Sequence, residues 1–113
     1  MINWNLLTSV EQIEKIKEES QQQPIVIFKH STSCSISATA KSRLERQWNE
    51  AGLENVKPYY LDLLSYRPIS NQIATSFEVR HESPQLLLIR NGECTSDWSH
   101  LGIRLDEIKK AIA

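Results

Sequence analysis

The chain has 113 residues, of which 40% are hydrophobic and 24% are charged, and its formal net charge is −1. That balance is ordinary for one small globular domain, here spanning residues 1–113, and it favours neither a nucleic-acid partner nor an anionic membrane surface. No apolar run approaches the ~20 residues that a membrane-spanning helix needs, and the first residues lack the layout of a signal peptide. We therefore expect a cytoplasmic protein that binds neither membranes nor nucleic acids.

The first half of the chain predicts a helix, a strand and a longer helix. Apolar residues at helical spacing follow two overlapping capping boxes and predict a helix near 9–22. The run at 24–29 is short, β-branched and free of polar alternation, which is typical of a strand buried on both faces. Apolar residues that recur every four positions predict a helix from 35 to about 51, which Gly52 would end.

The second half predicts two further strand-and-helix units, the last built on a hairpin whose turn is Asn91-Gly92. In chain order the elements are a strand at 56–63, a helix around 68–77, strands at 85–90 and 93–98, and a helix at 103–112. A βαβ unit implies parallel strands, and the hairpin adds an antiparallel edge. The predicted fold is a three-layer α/β/α sandwich with a central four-stranded mixed sheet.

Cys34 has the clearest chemical role in this sequence. It lies on the turn between the strand at 24–29 and the following helix, where unpaired N–H groups and the helix dipole favour a thiolate. Its polar neighbours, which include Ser33, Ser35 and Ser37, argue against an inert cysteine packed in the core. Because the thiolate is the nucleophile in thiol–disulfide exchange, Cys34 is the candidate catalytic residue.

The position three residues after Cys34 decides which redox chemistry is available. A second cysteine there would close an internal disulfide, but the residue is Ser37. A small thiol left on Cys34 must then be removed by another small thiol or by a separate reductase, which is monothiol chemistry. Cys94 is the other cysteine, and a chain of this length needs no structural disulfide to Cys34. The His and Cys residues show no zinc-site spacing, so we expect no metal and no cofactor.

Two segments resemble the thioredoxin fold. Phe28-Lys29-His30-Ser31-Thr32-Ser33-Cys34-Ser35-Ile36-Ser37 is similar to the active-site segment of the monothiol bacilliredoxins, small proteins implicated in removing bacillithiol from protein cysteines. Ser83-Pro84, before the strand at 85–90, resembles the cis-proline segment of thioredoxins. The resemblance covers nearly the whole chain. It departs at Ser35, where the family usually has proline, and the Ser35 hydroxyl could hydrogen-bond to the thiolate.

The resemblance implies a monothiol redoxin that removes a low-molecular-weight thiol, bacillithiol above all, from mixed disulfides on cytoplasmic proteins. Ser83 and Pro84 would bind substrate, with a cis peptide bond presenting the Ser83 backbone beside Cys34. Arg80 and His81, just before them, would add cationic or N–H donors for the malyl group of bacillithiol. Lys29 and His30 are further candidates for that role, although alternation alone does not show which way His30 points.

Alternatives to this function stay open at the level of the sequence. The same chemistry could use glutathione or coenzyme A in place of bacillithiol. The chain could instead be a non-catalytic thioredoxin-fold module that binds or senses redox state through Cys34. Monothiol glutaredoxins can share iron–sulfur clusters between subunits, which leaves a weaker cluster-binding alternative. In a thioredoxin fold, Cys94 would lie at a sheet edge remote from Cys34, so internal resolution is not expected.

Overall fold

The computed structural model of the protein describes residues 2–48 and 52–112. Within those ranges the chain forms five strands and four α-helices. The strands are β1 (Asn5–Leu6), β2 (Ile25–His30), β3 (Lys57–Asp62), β4 (Gln85–Arg90) and β5 (Glu93–Ser99). The helices are α1 (Glu11–Glu19), α2 (Ser35–Gln47), α3 (Arg67–Ser76) and α4 (Leu105–Ile112).

Each predicted helix and strand is present, and the ends differ by a few residues. Helix α2 starts at Ser35 as predicted, but part of its predicted end, residues 49–51, lies outside the described residues. Helix α1 ends at Glu19, short of the predicted end, because the N–H groups of Gln21 and Gln22 bond three residues back rather than four. The Ser20 carbonyl accepts the N–H of Asn91 at 2.9 Å, and the Ser20 hydroxyl accepts that of Gly92 at 2.8 Å. These bonds anchor the tip of the hairpin to the end of α1.

The strands form one mixed sheet in the order β1-β3-β2-β4-β5. Strand β3 runs parallel to both β1 and β2, whereas β4 runs antiparallel to both β2 and β5. The hairpin turn at Asn91-Gly92 has φ values of 53° and 79°, the left-handed conformation that such turns require. Helices cover both faces of the sheet, so the predicted three-layer thioredoxin-like sandwich is confirmed.

The predicted number of strands is wrong by one, because the sheet has five strands rather than four. The additional strand β1 pairs with β3 through two residues, Asn5 with Tyr59 and Leu6 with Tyr60. A two-residue strand is too short to show any alternation of apolar and polar side chains, so the sequence pattern does not reveal it.

Hydrophobic side chains pack against both faces of the sheet. Val26 and Phe28 of β2 face a core that includes residues of α2 and α4. Ile25 and Ile27 face the opposite core, which includes residues of α1 and α3. All four side chains are fully buried, which confirms that β2 is covered on both sides. Because successive side chains of a strand point to opposite faces, the two polar residues that end β2 are also directed to opposite sides.

The register of β2 and β4 positions the candidate site. Lys29 pairs with Gln85, the first residue of the antiparallel strand β4. The turn that follows β2 and the Ser83-Pro84 segment that precedes β4 therefore lie at the same end of the strands. No helix within the described ranges combines the length and apolar character that crossing a membrane requires.

Candidate active site

Cys34 is the N-terminal capping residue of α2. Its backbone is extended, with φ −107° and ψ 122°, and its carbonyl accepts the first helical hydrogen bond, from Ala38 N–H, at 3.1 Å. The N–H of Cys34 donates to the carbonyl of Ser31 at 3.1 Å and closes a tight turn after β2. The Cys34 thiol is unpaired, and the residue is partly exposed. A ligand that approaches this end of the strands can therefore reach the sulfur.

The first amides of α2 are available to an anion. Among the described residues, none accepts a hydrogen bond from the N–H groups of Ser35, Ile36 or Ser37. Such free N–H groups, together with the positive end of the helix dipole, stabilise negative charge at the N-cap position. The arrangement would stabilise the negative charge that sulfur carries during thiol–disulfide exchange.

The serines of the turn differ in their exposure. Ser33 and Ser35 are exposed, and the Ser33 hydroxyl lies 3.4 Å from that of Ser31. Ser37 is completely buried, and its Oγ accepts the N–H of Ser31 at 3.0 Å. The position that a resolving cysteine would occupy is thus filled by a serine whose hydroxyl group forms a hydrogen bond within the protein.

His30 is the second partner of Ser37, and sequence reasoning did not connect the two. His30 Nδ1 lies 2.6 Å from Ser37 Oγ. The ring is buried between Phe28 and Tyr60, each with its centroid 5.7 Å away. Burial and the nearby charge of Lys41 lower the pKa of His30, so the imidazole is neutral near pH 7. Strand alternation puts His30 on the same face as Val26 and Phe28, but only the packing of those two residues in the structure shows that this is the α2 side.

Lys29 lies on the other face of the sheet, beneath the loop that leads to β4. Its side chain is fully buried, and Nζ lies 3.3 Å from the carbonyl oxygen of Ser70 and 3.4 Å from Nδ1 of His81. Burial lowers the pKa of Lys29 to about 8. The pKa of His81 is lowered by burial and by the charges of Lys29 and Arg67. The structure therefore brings two of the predicted cationic residues together.

The other predicted substrate-binding residues lie on the same loop. Arg80 is 93% exposed and lies 3.9 Å from the carboxylate of Glu82. The Ser83–Pro84 peptide bond is cis, as the resemblance to thioredoxins implied. The Ser83 hydroxyl is buried and finds no hydrogen-bond partner among the described residues. The loop with His81, Ser83 and Pro84 thus lies at the same end of the strands as Cys34. The Arg80 side chain extends into solvent.

Cys94 lies at the opposite end of the sheet from Cys34. It pairs with Ile89 of β4, which in turn pairs with Ile25 at the start of β2. The length of β2 between that level and its end is about 16 Å at the usual rise of a strand. The thiol donates to the carbonyl of Ser96 at 3.3 Å, and burial raises its pKa to about 11. Cys94 is therefore both distant from Cys34 and poorly nucleophilic.

Comparisons with known proteins agree with this architecture. The model of the family described as Monothiol bacilliredoxin BrxC matches residues 5–108. A solved protein of thioredoxin fold, described as a candidate oxidoreductase, is 32% identical, with 94% of this chain and 90% of that chain covered and a TM-score of 0.81.

Thioredoxins of lower identity share the fold alone. The thioredoxin of Malassezia sympodialis is 19% identical over 99% of this chain and 90% of its own, with a TM-score of 0.72. That of Fasciola hepatica is 18% identical over 96% and 95%, with a TM-score of 0.69. Since the family match spans nearly all of β1 to α4 and includes the Cys34 turn, the chain belongs to the monothiol bacilliredoxin family.

Proposed function

We propose that this protein removes bacillithiol from mixed disulfides on cytoplasmic proteins, with Cys34 as the nucleophile. One observation carries the proposal: Cys34 caps the exposed start of α2, and the residue one turn later is a buried serine rather than a second cysteine. The site can therefore accept a small thiol but has no neighbouring thiol to displace it. Membership of the monothiol bacilliredoxin family supports bacillithiol as that small thiol.

The exchange proceeds in two balanced steps. The Cys34 thiolate attacks the bacillithiol sulfur of the mixed disulfide, the S–S bond to the target cysteine breaks, and the target protein leaves as a thiolate that takes up a proton from water. Bacillithiol then remains joined to Cys34 as a new disulfide. A second bacillithiol thiolate attacks that adduct, which yields oxidised bacillithiol and regenerates the Cys34 thiolate. The free N–H groups of Ser35 and Ile36 lie where this negative charge appears.

The loop before β4 supplies the groups that would recognise the small thiol. Lys29 Nζ donates to His81 Nδ1, which leaves Nε2–H as the donor of the His81 ring. Arg80 adds an exposed guanidinium on the same loop. These groups suit the carboxylates of the malyl group, while the backbone of Ser83, next to the cis bond, would pair with an extended ligand.

The experiment compares one target protein carrying bacillithiol, glutathione or coenzyme A on the same cysteine. We expect the wild-type protein to remove bacillithiol fastest, Cys34→Ser to show no transfer, and Cys94→Ser to match the wild type. Equal activity in the two cysteine variants would contradict the role of Cys34. Faster removal of glutathione or coenzyme A would reassign the thiol, and binding of the target without any transfer would favour a non-catalytic module.

Variants of the loop test recognition separately from chemistry. His81→Asn and Arg80→Ala should raise KM for the bacillithiol substrate by several-fold and leave kcat nearly unchanged, because they remove binding that is made before the reaction. A target carrying 2-mercaptoethanol, which has no carboxylate, is the matched control and should show no change in KM. A similar rise in KM for both substrates would contradict the recognition of carboxylates by this loop.

A further inference from the structure

Ser37 Oγ joins two parts of the active-site turn that are not neighbours in the chain. It accepts the N–H of Ser31 at 3.0 Å and lies 2.6 Å from Nδ1 of His30. A serine hydroxyl has one proton to donate, and among the described residues His30 Nδ1 is the acceptor within reach. Ser37 therefore donates to His30, and the neutral imidazole carries its proton on Nε2.

The same chain of hydrogen bonds reaches the backbone of Cys34. The Ser31 carbonyl accepts the Cys34 N–H at 3.1 Å, while the Ser31 N–H is held by Ser37. Hydrogen bonds thus connect His30 to Ser37, Ser37 to the Ser31 backbone, and the Ser31 backbone to that of Cys34. We call His30, Ser31 and Ser37 the turn clamp.

We infer that His30 is a positioning residue for thiol transfer at Cys34 and that it acts through Ser37 and the Ser31 backbone. The inference rests on the proposed function, because it concerns the reaction at Cys34. The His30 ring is well placed for this task, since it stacks on Phe28 at an interplanar angle of 23° and cannot turn freely. A fixed acceptor in the core then keeps the first turn of α2 in one position relative to the end of β2.

The direction of the hydrogen bond between His30 and Ser37 depends on the protonation of His30. A protonated imidazole has no lone pair on Nδ1 and would instead donate to the second lone pair of Ser37 Oγ, so the two residues stay bonded while the Ser37 proton loses its acceptor. The charged or titratable groups that act on His30 are Lys41 and Glu45 of α2 and Asp62 of β3, and the Tyr60 ring of β3 lies beside it, tilted by 49°. Burial and Lys41 oppose protonation and the two carboxylates favour it, and the net result lowers the pKa of His30, so at neutral pH Ser37 is the donor and His30 the acceptor.

A pair of His30 variants separates the hydrogen bond from the packing. His30→Phe keeps an aromatic ring between Phe28 and Tyr60 but removes the acceptor. His30→Asn loses the ring but places an amide oxygen close to the position of Nδ1. Both are made together with Cys94→Ser, so that Cys34 is the one thiol present. The probe is 4,4′-dithiodipyridine, which the Cys34 thiolate attacks to release one thiopyridone and form one mixed disulfide, and the rate constant of this reaction is measured.

We expect His30→Phe to react about three- to tenfold more slowly than the Cys94→Ser parent, which corresponds to the loss of one hydrogen bond, and His30→Asn to stay within about twofold of it. If His30→Phe matches the parent, or if both variants slow equally, the inference is wrong and His30 is a packing residue.

Ser37→Ala provides a second test that leaves the core aromatic residues in place. It should slow the reaction as much as His30→Phe, and the double variant should be no slower than either single one, since all three break the same chain of hydrogen bonds. Ser37→Ala reacting as fast as the parent would overturn the inference even if His30→Phe failed to fold. Failure of the proposed function would look different, because the parent itself would then transfer no thiol from a protein substrate.

Discussion

The Nζ atom of Lys29 lies 3.4 Å from Nδ1 of His81, on the side of the sheet opposite to His30. The lysine is fully buried, and among the described residues no carboxylate lies within ion-pair distance of it. Its hydrogen-bond partners are neutral groups of Ser70 and His81. Burial without a counter-charge lowers the pKa of Lys29 to about 8, which makes the stability of the protein depend on pH in a specific direction.

We predict that Lys29 destabilises the fold less as the pH rises from 7.5 to 9.5. Above about pH 8 the folded chain releases the proton of Lys29, whereas the unfolded chain keeps it up to its ordinary pKa of 10.5. The unfolded state then binds more protons, so the free energy of unfolding rises with pH, by at most about 1.4 kcal/mol per pH unit. Urea unfolding of the wild type and Lys29→Met at several pH values should show the variant's relative stability falling over this range.

The control for this prediction is Lys15→Met on the exposed side of α1. That variant removes the same positive charge at an exposed position, so a pH dependence that both variants share would come from the loss of a charge and not from the buried site. A difference between wild type and Lys29→Met that does not change between pH 7.5 and 9.5 would show that Lys29 titrates normally in the folded protein.

A second prediction concerns the monothiol character of the site. Ser37→Cys should convert the protein into a dithiol that oxidises internally, because residues 34 and 37 lie one helical turn apart on the same side of α2. Mass spectrometry after mild oxidation in the presence of bacillithiol should show a loss of two hydrogens and no small-thiol adduct. Thr39→Cys, exposed on another side of α2, is the matched control and should keep the adduct on Cys34. An adduct that persists in Ser37→Cys would disprove this geometry.

A third prediction separates the two cysteines by their reactivity. Burial raises the pKa of Cys94 to about 11, so at pH 8 about one molecule in a thousand carries this residue as a thiolate. Iodoacetamide at pH 8 should therefore modify Cys34 first and should modify Cys94 at a useful rate only after unfolding in urea. Mass spectrometry of the wild type over time, with Cys34→Ser as the control, measures both rates. Fast labelling of folded Cys34→Ser would show that Cys94 is accessible and ionised.

The local pattern of the sequence was enough to predict most of the fold. Helices and the longer strands follow from the spacing of apolar residues, and the turn at Asn91-Gly92 follows from residues that accept positive φ. Strand β1 was not predictable because two residues carry no periodicity, and its place beside β3 depends on contacts between residues far apart in the chain. The same holds for the contact between the end of α1 and the hairpin, which joins Ser20 to Asn91 and Gly92.

For the candidate site, the sequence alone determined the residue types and their order: Cys34 at the start of a helix, Ser37 one turn later, and Ser83-Pro84 before a strand. Only the tertiary structure decided which side chains meet. Lys29 and His30 are neighbours in the chain, yet strand geometry sends one to His81 and the other to Ser37. A sequence pattern records the period of a strand but not the partners on each face, because those partners are brought in by α2 on one side and by α3 and the loop before β4 on the other.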